Sequence, residues 1–256
     1  MTALQIHQFL CRRDNFGVLI HDAAHGLTAA IDTPDAESIR SALAAKGWRL
    51  THILTTHHHD DHTAGHKALK AETGCHIVGP RKEAATIPGI DSQVSEGDSL
   101  SFGDYTVHVI ETPGHTLGHV SYWLSEAKAA FVGDTLFSLG CGRLLEGDAA
   151  MMWHSLKKLK ELPPETSIYC GHEYTESNAA FALTIEPGNS ALQNRANEVK
   201  RLRGQDKLTL PVTLADELAQ NPFLRPDSLE IQENVGLVGQ PLATIFAEIR
   251  RRKDRF

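Results

Sequence analysis

The chain has no apolar run approaching the length of a bilayer span, which excludes a transmembrane helix. Cysteine is scarce. Cys11, Cys75, Cys141 and Cys170 lie far apart and form no C-x-x-C pair, so a disulfide framework is not expected in a chain this long and a reducing, cytoplasmic setting is. An excess of basic charge is also missing. With 25 Lys and Arg against 32 Asp and Glu, the net charge is −7, which argues against a general nucleic-acid surface. The opening stretch, MTALQIHQFLCRRD, has no basic run ahead of an apolar one and does not read as a signal peptide. There is no internal repeat and no low-complexity linker. Neither nucleic acid nor membrane is expected as a partner, and a monomer is expected.

What is present is an ordinary globular composition, 41% hydrophobic and 22% charged, in 256 residues. Val18–Ile20 and Leu27–Ile31, parted by a turn at 22–26, read as paired strands. AESIRSALAAKG reads as a helix capped by Asp35, with Ile39, Leu43 and Ala44 on one face and Gly47 as its stop. LTHILTTH and HIVGP read as strands, with the helical AGHKALKAETG between them. Residues 93–137 hold short strand-like runs, and DAAMMWHSLKKLKEL is an amphipathic helix with Met152, Leu156 and Leu159 at helical spacing. Beyond Tyr174 the strand signal fades. NSALQNRANEVKRLR and PLATIFAEIRRRK carry apolar residues at i, i+3 or i+4, and i+7. Two domains follow: a mixed strand–helix part over 1–173 and a smaller helical part over 174–256.

Histidine is the outlier, with 15 residues, and "TTHHHDDHTAGH" at 55–66 holds five of them, four within 57–62 beside two aspartates. Packed without a cation, such groups repel or lose hydration. If a strand ends at Thr56, alternation places His57 and His59 on one side, able to chelate one ion. Asp61 and His62 follow as the chain turns into a helix and can serve a second, while His58 and Asp60 face away. Imidazole with carboxylate suits zinc or iron better than magnesium or calcium. A solvated polar loop would not explain the order H-x-H-x-D-H. Three further candidates share one local pattern, an apolar strand, a glycine and then a ligand: His115 in "ETPGHTLGH", Asp134 in "FVGDTLF" and His172 in "IYCGHEY". Loops at strand ends, held by a rigid sheet, are where sites tend to be built. His119 looks locally like His115 but is not assigned as a ligand. The remaining histidines, His66 among them, are read as structural or exposed.

T-H-H-H-D-D-H at 56–62, P-G-H-T-x-G-H at 113–119, G-D at 133–134 and G-H-E-Y at 171–174 resemble the metallo-β-lactamase superfamily in its binuclear form. The resemblance implies an α/β, four-layer αββα sandwich followed by a small helical domain. It implies two divalent metal ions per chain, zinc first, with iron or manganese also suited. His57, His59 and His115 would hold one ion and Asp61, His62 and His172 the other. Asp134 would bridge them, and with Asp61 it is the carboxylate assigned to catalysis.

"LFSLGCGRLLEG" at 136–147, "GHEYTESN" at 171–178, "NPFLR" at 221–225 and the closing "IRRRKD" at 249–254 narrow the resemblance to the glyoxalase II, or hydroxyacylglutathione hydrolase, family. That likeness implies hydrolysis of S-D-lactoylglutathione to glutathione and D-lactate by a metal-bridging hydroxide, in methylglyoxal detoxification. By position, Arg143, Tyr174, Arg250 and Lys253 would contact glutathione. Two departures stand out. Leu145 occupies a place where the family often has an aromatic residue, and Arg143 one where lysine is frequent. "RRRKDR" at 250–255 packs five cations into six residues of an acidic chain, which suits a carboxylate-bearing substrate or a solvated helix end. The rival readings are a single-iron glutathione persulfide dioxygenase, another hydrolase of the same fold such as a nuclease, and a diiron electron-transfer module. The last would usually carry an acidic residue where His59 stands.

Overall fold

The computed structural model of the protein describes residues 3–256. These residues form two compact units. The first runs through Glu111 and adds Gly118–Gly133; the second comprises Thr112–Leu117 and Asp134–Phe256.

In the first unit, β1 (Gln5–Cys11), β2 (Asn15–Asp22) and β3 (Leu27–Ile31) form an antiparallel meander, with Val18 opposite Ile31 as the two strand signals and their turn predict. The sheet then continues in parallel through β4 (His52–Leu54), β5 (His76–Pro80) and β6 (Ser92–Val94). Parallel neighbours need a crossover. Helix α1 (Ala36–Lys46) supplies the one between β3 and β4, and α2 (Asp60–Thr63) with α3 (His66–Thr73) the one between β4 and β5. The Asp35 carboxylate accepts the N–H groups of Glu37 and Ser38, a cap worth about 1 kcal/mol, and Gly47 ends the helix. The buried face of α1 is Ile39, Ala42 and Leu43; Ala44, expected inside, is exposed. Residues three and four beyond Ile39 share its face, whereas the fifth is rotated about 140° from it.

These helices and the sheet close one core around Leu19, Ile39, Leu43, Ile53, Leu69 and Ile77. Each such side chain contributes about 1.5–3 kcal/mol by leaving water. A second, antiparallel ladder joins β7 (Ser99–Phe102), β8 (Tyr105–Glu111), β9 (Val120–Leu124) and β10 (Ala129–Gly133). Along β8, Tyr105, Val107 and Val109 alternate inward. The Tyr122 hydroxyl of β9 donates to the Thr55 carbonyl at 2.7 Å, and the Val120 N–H to the Thr56 carbonyl at 2.9 Å, so this ladder supports the chain just past β4.

The second unit opens with a two-residue-turn hairpin, β11 (Leu136–Phe137) and β12 (Gly140–Cys141). Helix α4 (Ala149–Lys160) buries Met152, Leu156 and Leu159 as its spacing predicts. Strand β13 (Ser167–Cys170) pairs with the short β14 (Val212–Thr213). The helices α5 (Thr175–Ile185), α6 (Ser190–Arg203), α7 (Leu214–Gln220), α8 (Leu229–Val235) and α9 (Leu242–Lys253) complete it. Within this unit Trp153 of α4 stacks on Phe246 of α9 at 5.7 Å. No helix among the described residues is long and apolar enough to cross a membrane.

Candidate metal centre

In the first unit the dense cluster occupies a loop. β4 ends at Leu54, two residues earlier than expected, and α2 starts at Asp60, so strand alternation does not set the directions of His57 and His59. The loop nevertheless gathers the rings. His57 lies 4.8 Å from His59 and 4.1 Å from His62, centroid to centroid. His57 and His62 are buried, and His59 and Asp61 are partly so. His58 turns toward Glu83, with Nδ1 3.0 Å from its carboxylate, and the exposed Asp60 pairs with Arg12 at 3.1 Å.

One carboxylate organises this group. Asp32 follows directly on β3 in a left-handed conformation, φ +56°, which a non-glycine residue adopts only when its surroundings enforce it. Its Oδ1 accepts the Thr56 N–H at 2.7 Å, and its Oδ2 accepts both the Thr56 hydroxyl at 2.7 Å and His62 Nδ1 at 2.8 Å. The Thr56 oxygen is in turn 3.0 Å from His57 Nδ1. An ionised carboxylate only accepts, and a hydroxyl has one proton to give. Nδ1 of both imidazoles therefore carries the proton, and Nε2 of each presents its lone pair. This is the arrangement by which metal-binding histidines are held. Potential ligand atoms of Asp32, His57 and His62 all lie within 4.8 Å of one another, but the Asp32 oxygens are already engaged as orienting acceptors. Asn15 fixes Asp61 likewise, its amide donating to the Asp61 carbonyl at 3.0 Å and to Oδ2 at 3.1 Å.

In the second unit Asp134 meets two histidines. Its Oδ2 is 3.4 Å from Nε2 of His115 and 3.4 Å from Nε2 of His172, and all three side chains are buried. Nδ1 of His115 donates to the Arg143 carbonyl at 2.8 Å, so its Nε2 lone pair points at the carboxylate oxygen. Two acceptors facing each other call for a cation between them. The His172 ring stacks on Tyr174 at 4.7 Å, nearly parallel. The glycine before Asp134 has a local cause within the first unit: at φ +46°, a Cβ on Gly133 would lie 2.6 Å from His119 Nε2. His119 itself is fully buried and stacks on His57 at 4.9 Å. Nitrogen and carboxylate donors in this mixture suit a divalent transition ion, and both groups fit such ions.

The expected substrate-binding residues also lie in the second unit. Lys253 is half buried, its ammonium 3.1 Å from the Ser177 carbonyl and over the rings of Phe181 and Phe256. Burial, aided by the positive charges of Arg250 and Arg143, pushes it down to about 8. Arg250 is only 4% exposed; it donates to the Cys141 carbonyl at 2.8 Å and pairs with Asp254 at 2.8 Å. Arg143 and Tyr174 are exposed, as is Leu145. The basic run therefore divides by role, since Arg251 and Arg252 are both held by Glu248.

Sequence alone did not reveal Asn15, Asp32 or Glu83, whose only signal is an isolated polar residue at or after a strand or in a short turn. His66, expected to be structural or exposed, is fully buried. It is wedged between the hydroxyls of Thr33 at 2.6 Å and Thr55 at 2.7 Å, and burial pushes it down to about 3.

Clustered histidines oriented through Nδ1, on loops at strand ends of an α/β fold, define a protein of the metallo-β-lactamase class. The family model described as the metallo-beta-lactamase superfamily matches residues 17–172, and the one described as the hydroxyacylglutathione hydrolase C-terminus matches residues 173–256. The chain belongs to the hydroxyacylglutathione hydrolase family. A hydroxyacylglutathione hydrolase of Brucella anthropi is 58% identical over 253 residues, 99% of this chain and 97% of the relative. Among solved structures, ETHE1 from Myxococcus xanthus is similar with a TM-score of 0.67 and 26% identity, covering 97% of this chain and 98% of its own. TTHA1623, solved in a di-iron-bound form, has a TM-score of 0.56 and 27% identity over 64% of this chain and 89% of its own. The fold is thus the expected one, an αββα metallo-β-lactamase fold with a helical C-terminal domain.

Proposed function

We propose that the protein hydrolyses the thioester bond of S-(2-hydroxyacyl)glutathiones, S-D-lactoylglutathione among them, releasing glutathione and a 2-hydroxy acid. The observation that carries this reading is the 58% identity to a hydroxyacylglutathione hydrolase over 99% of the chain. The persulfide dioxygenase, nuclease and electron-transfer readings are not favoured by it. His57, His59 and His115 are assigned to one divalent ion, Asp61, His62 and His172 to a second, and Asp134 to both. Zinc, iron and manganese all suit these donors. When bound, two such ions polarise the thioester carbonyl and make water a nucleophile at neutral pH. Residues 1–173 would then be the metal domain and 174–256 the substrate domain, in a monomer working in the cytoplasm.

The chain's own residues have separable tasks in this reaction. Asp32 holds the Nδ1 protons of His62 and, through Thr56, of His57, keeping both Nε2 atoms available. Tyr174 stacks on His172 and restrains its ring plane. Lys253 and Arg143, whose charges already act on each other, and Arg250 beside them favour the carboxylates of glutathione. The departing thiolate has a free pKa of about 8.5, so no strong general acid is required. The test is elemental analysis of the purified protein beside anaerobic turnover of S-D-lactoylglutathione. Two ions per chain with oxygen-independent hydrolysis is the expected result, and metal-replete protein inert toward the thioester would overturn it.

A further inference from the structure

Residues 134–143 carry two elements of the candidate site at their ends. Asp134 lies at the start, and the Arg143 carbonyl that fixes the His115 tautomer lies at the end. Between them the β11–β12 hairpin turns through Ser138 and Leu139, and Leu139 sits at φ +57°, a conformation that a branched side chain does not hold unaided. At the base of the hairpin the Gly142 N–H donates to the Thr135 carbonyl at 3.2 Å, and a Cβ on Gly142 would collide with the Asp134 carbonyl oxygen.

The tip of this hairpin is gripped by the helices that follow it in sequence. Glu217 of α7 is 1% exposed; its Oε1 accepts the Ser138 hydroxyl at 2.8 Å and its Oε2 the Leu139 N–H at 2.9 Å. Asn221 donates to Glu217 at 2.8 Å and to the carbonyls of Phe137 and Gly140 at 3.1 and 3.0 Å. Asn178 donates to the Ser138 carbonyl at 3.1 Å, and the Leu139 side chain packs among Ala179, Ala182 and Leu192. A buried carboxylate with no cation in direct contact is costly, and one whose hydrogen bonds converge on a single turn specifies that turn.

We infer that Glu217 is a positioning residue for metal binding: by clamping the 137–140 turn it holds Asp134 and the Arg143 carbonyl, and through the latter His115, in ligating geometry. The inference rests on the ligand assignment proposed above. A comparison carboxylate exists in the same unit. Glu186 is 2% exposed and bonded to Arg225 at 2.9 Å, Ser228 at 2.6 Å and Asn189 at 2.8 Å, all outside the hairpin.

The experiment uses full-length protein loaded with zinc and measures loss of zinc to a chelator, at a temperature where circular dichroism shows every variant folded. Glu217→Gln keeps the side-chain shape but removes the charge and replaces one acceptor oxygen of the clamp by an amide donor. It should release zinc about tenfold faster than wild type, the low end of what an outer partner of a ligand is worth. Glu186→Gln should lower Tm and release zinc at the wild-type rate. Should Glu217→Gln fail to fold, Ser138→Ala, which removes only the hydroxyl that donates to Glu217, should still speed release. Wild-type retention in both Glu217→Gln and Ser138→Ala, or equal zinc loss from Glu186→Gln, overturns the positioning role. Asp134→Ala run in parallel separates the two levels, because unchanged zinc retention there would overturn the ligand assignment itself.

Discussion

The two groups of candidate ligands are built in opposite ways. In the first unit, residues 57–62 carry His57, His59, Asp61 and His62 within six positions, and the side chain of Asp32, directly after β3, orients two of them, one through Thr56. In the second, His115, Asp134 and His172 are spread over 58 positions of sequence, and the orienting acceptor for His115 is a backbone carbonyl held by a hairpin. A local cluster needs one fixed carboxylate. A dispersed one needs a folded scaffold, with buried polar side chains such as Glu217 and Asn221 fastening backbone to backbone. Mutational sensitivity should follow that division.

The largest effect is expected at Asp134, the acidic member of the dispersed group. Asp134→Ala should lower metal content toward zero and reduce turnover by orders of magnitude, read by elemental analysis and thioester hydrolysis. A metal-replete, active variant would remove the bridge from the scheme.

The contrast sharpens at the two orienting acceptors. Asp32→Ala deletes the acceptor for His62 and Thr56 and should weaken metal affinity by about 10- to 100-fold. Arg143→Ala keeps the carbonyl that holds His115, so metal content should stay at the wild-type level while KM for the glutathione thioester rises. Equal metal loss in the two variants would mean that the side chain of Arg143, and not its backbone, supports the site.

A smaller effect follows from Lys253. Burial, with Arg250 and Arg143, pushes its pKa down to about 8, so it is charged below that pH and neutral above it. If it binds a glutathione carboxylate, KM should rise as pH increases through about 8, and Lys253→Arg should flatten the profile. The full contribution of such a charge-assisted bond is about 1.5–3 kcal/mol, roughly 10- to 100-fold in binding. Short thioesters without those carboxylates should show no such rise. Arg250→Ala is a less clean probe, because the buried guanidinium also holds the Cys141 carbonyl.

The smallest effect is expected at His58. It sits between two residues of the chelating loop yet turns its Nδ1 to Glu83. His57→Ala and His59→Ala should each impair metal binding severely, whereas His58→Ala should leave most of the metal in place. Comparable losses at all three would show that nearness in sequence, rather than ring direction, governs this loop.

The sequence by itself singled out the candidate ligands, because H-x-H-x-D-H and the recurrent pattern of strand, glycine and polar residue are local. It also determined the helices whose apolar residues repeat at 3.6, such as α4 with Met152, Leu156 and Leu159. Elements without such a pattern stayed illegible. The edge strand β1 of the six-stranded sheet, the short α7 and α8, and the β11–β12 hairpin have too few residues, or too mixed a pattern, to show a period. Only the tertiary structure decided which nitrogen of His57, His62 and His115 carries the proton, since that depends on Thr56, Asp32 and the Arg143 carbonyl, which lie 1, 30 and 28 positions from the imidazoles they hold. It also decided that β4 stops at Leu54 and that Arg250 is buried. A strand lasts as long as a neighbour pairs with it, and a cation is buried where a carbonyl and a carboxylate wait for it. Neither condition is written in the residues next to it in the chain.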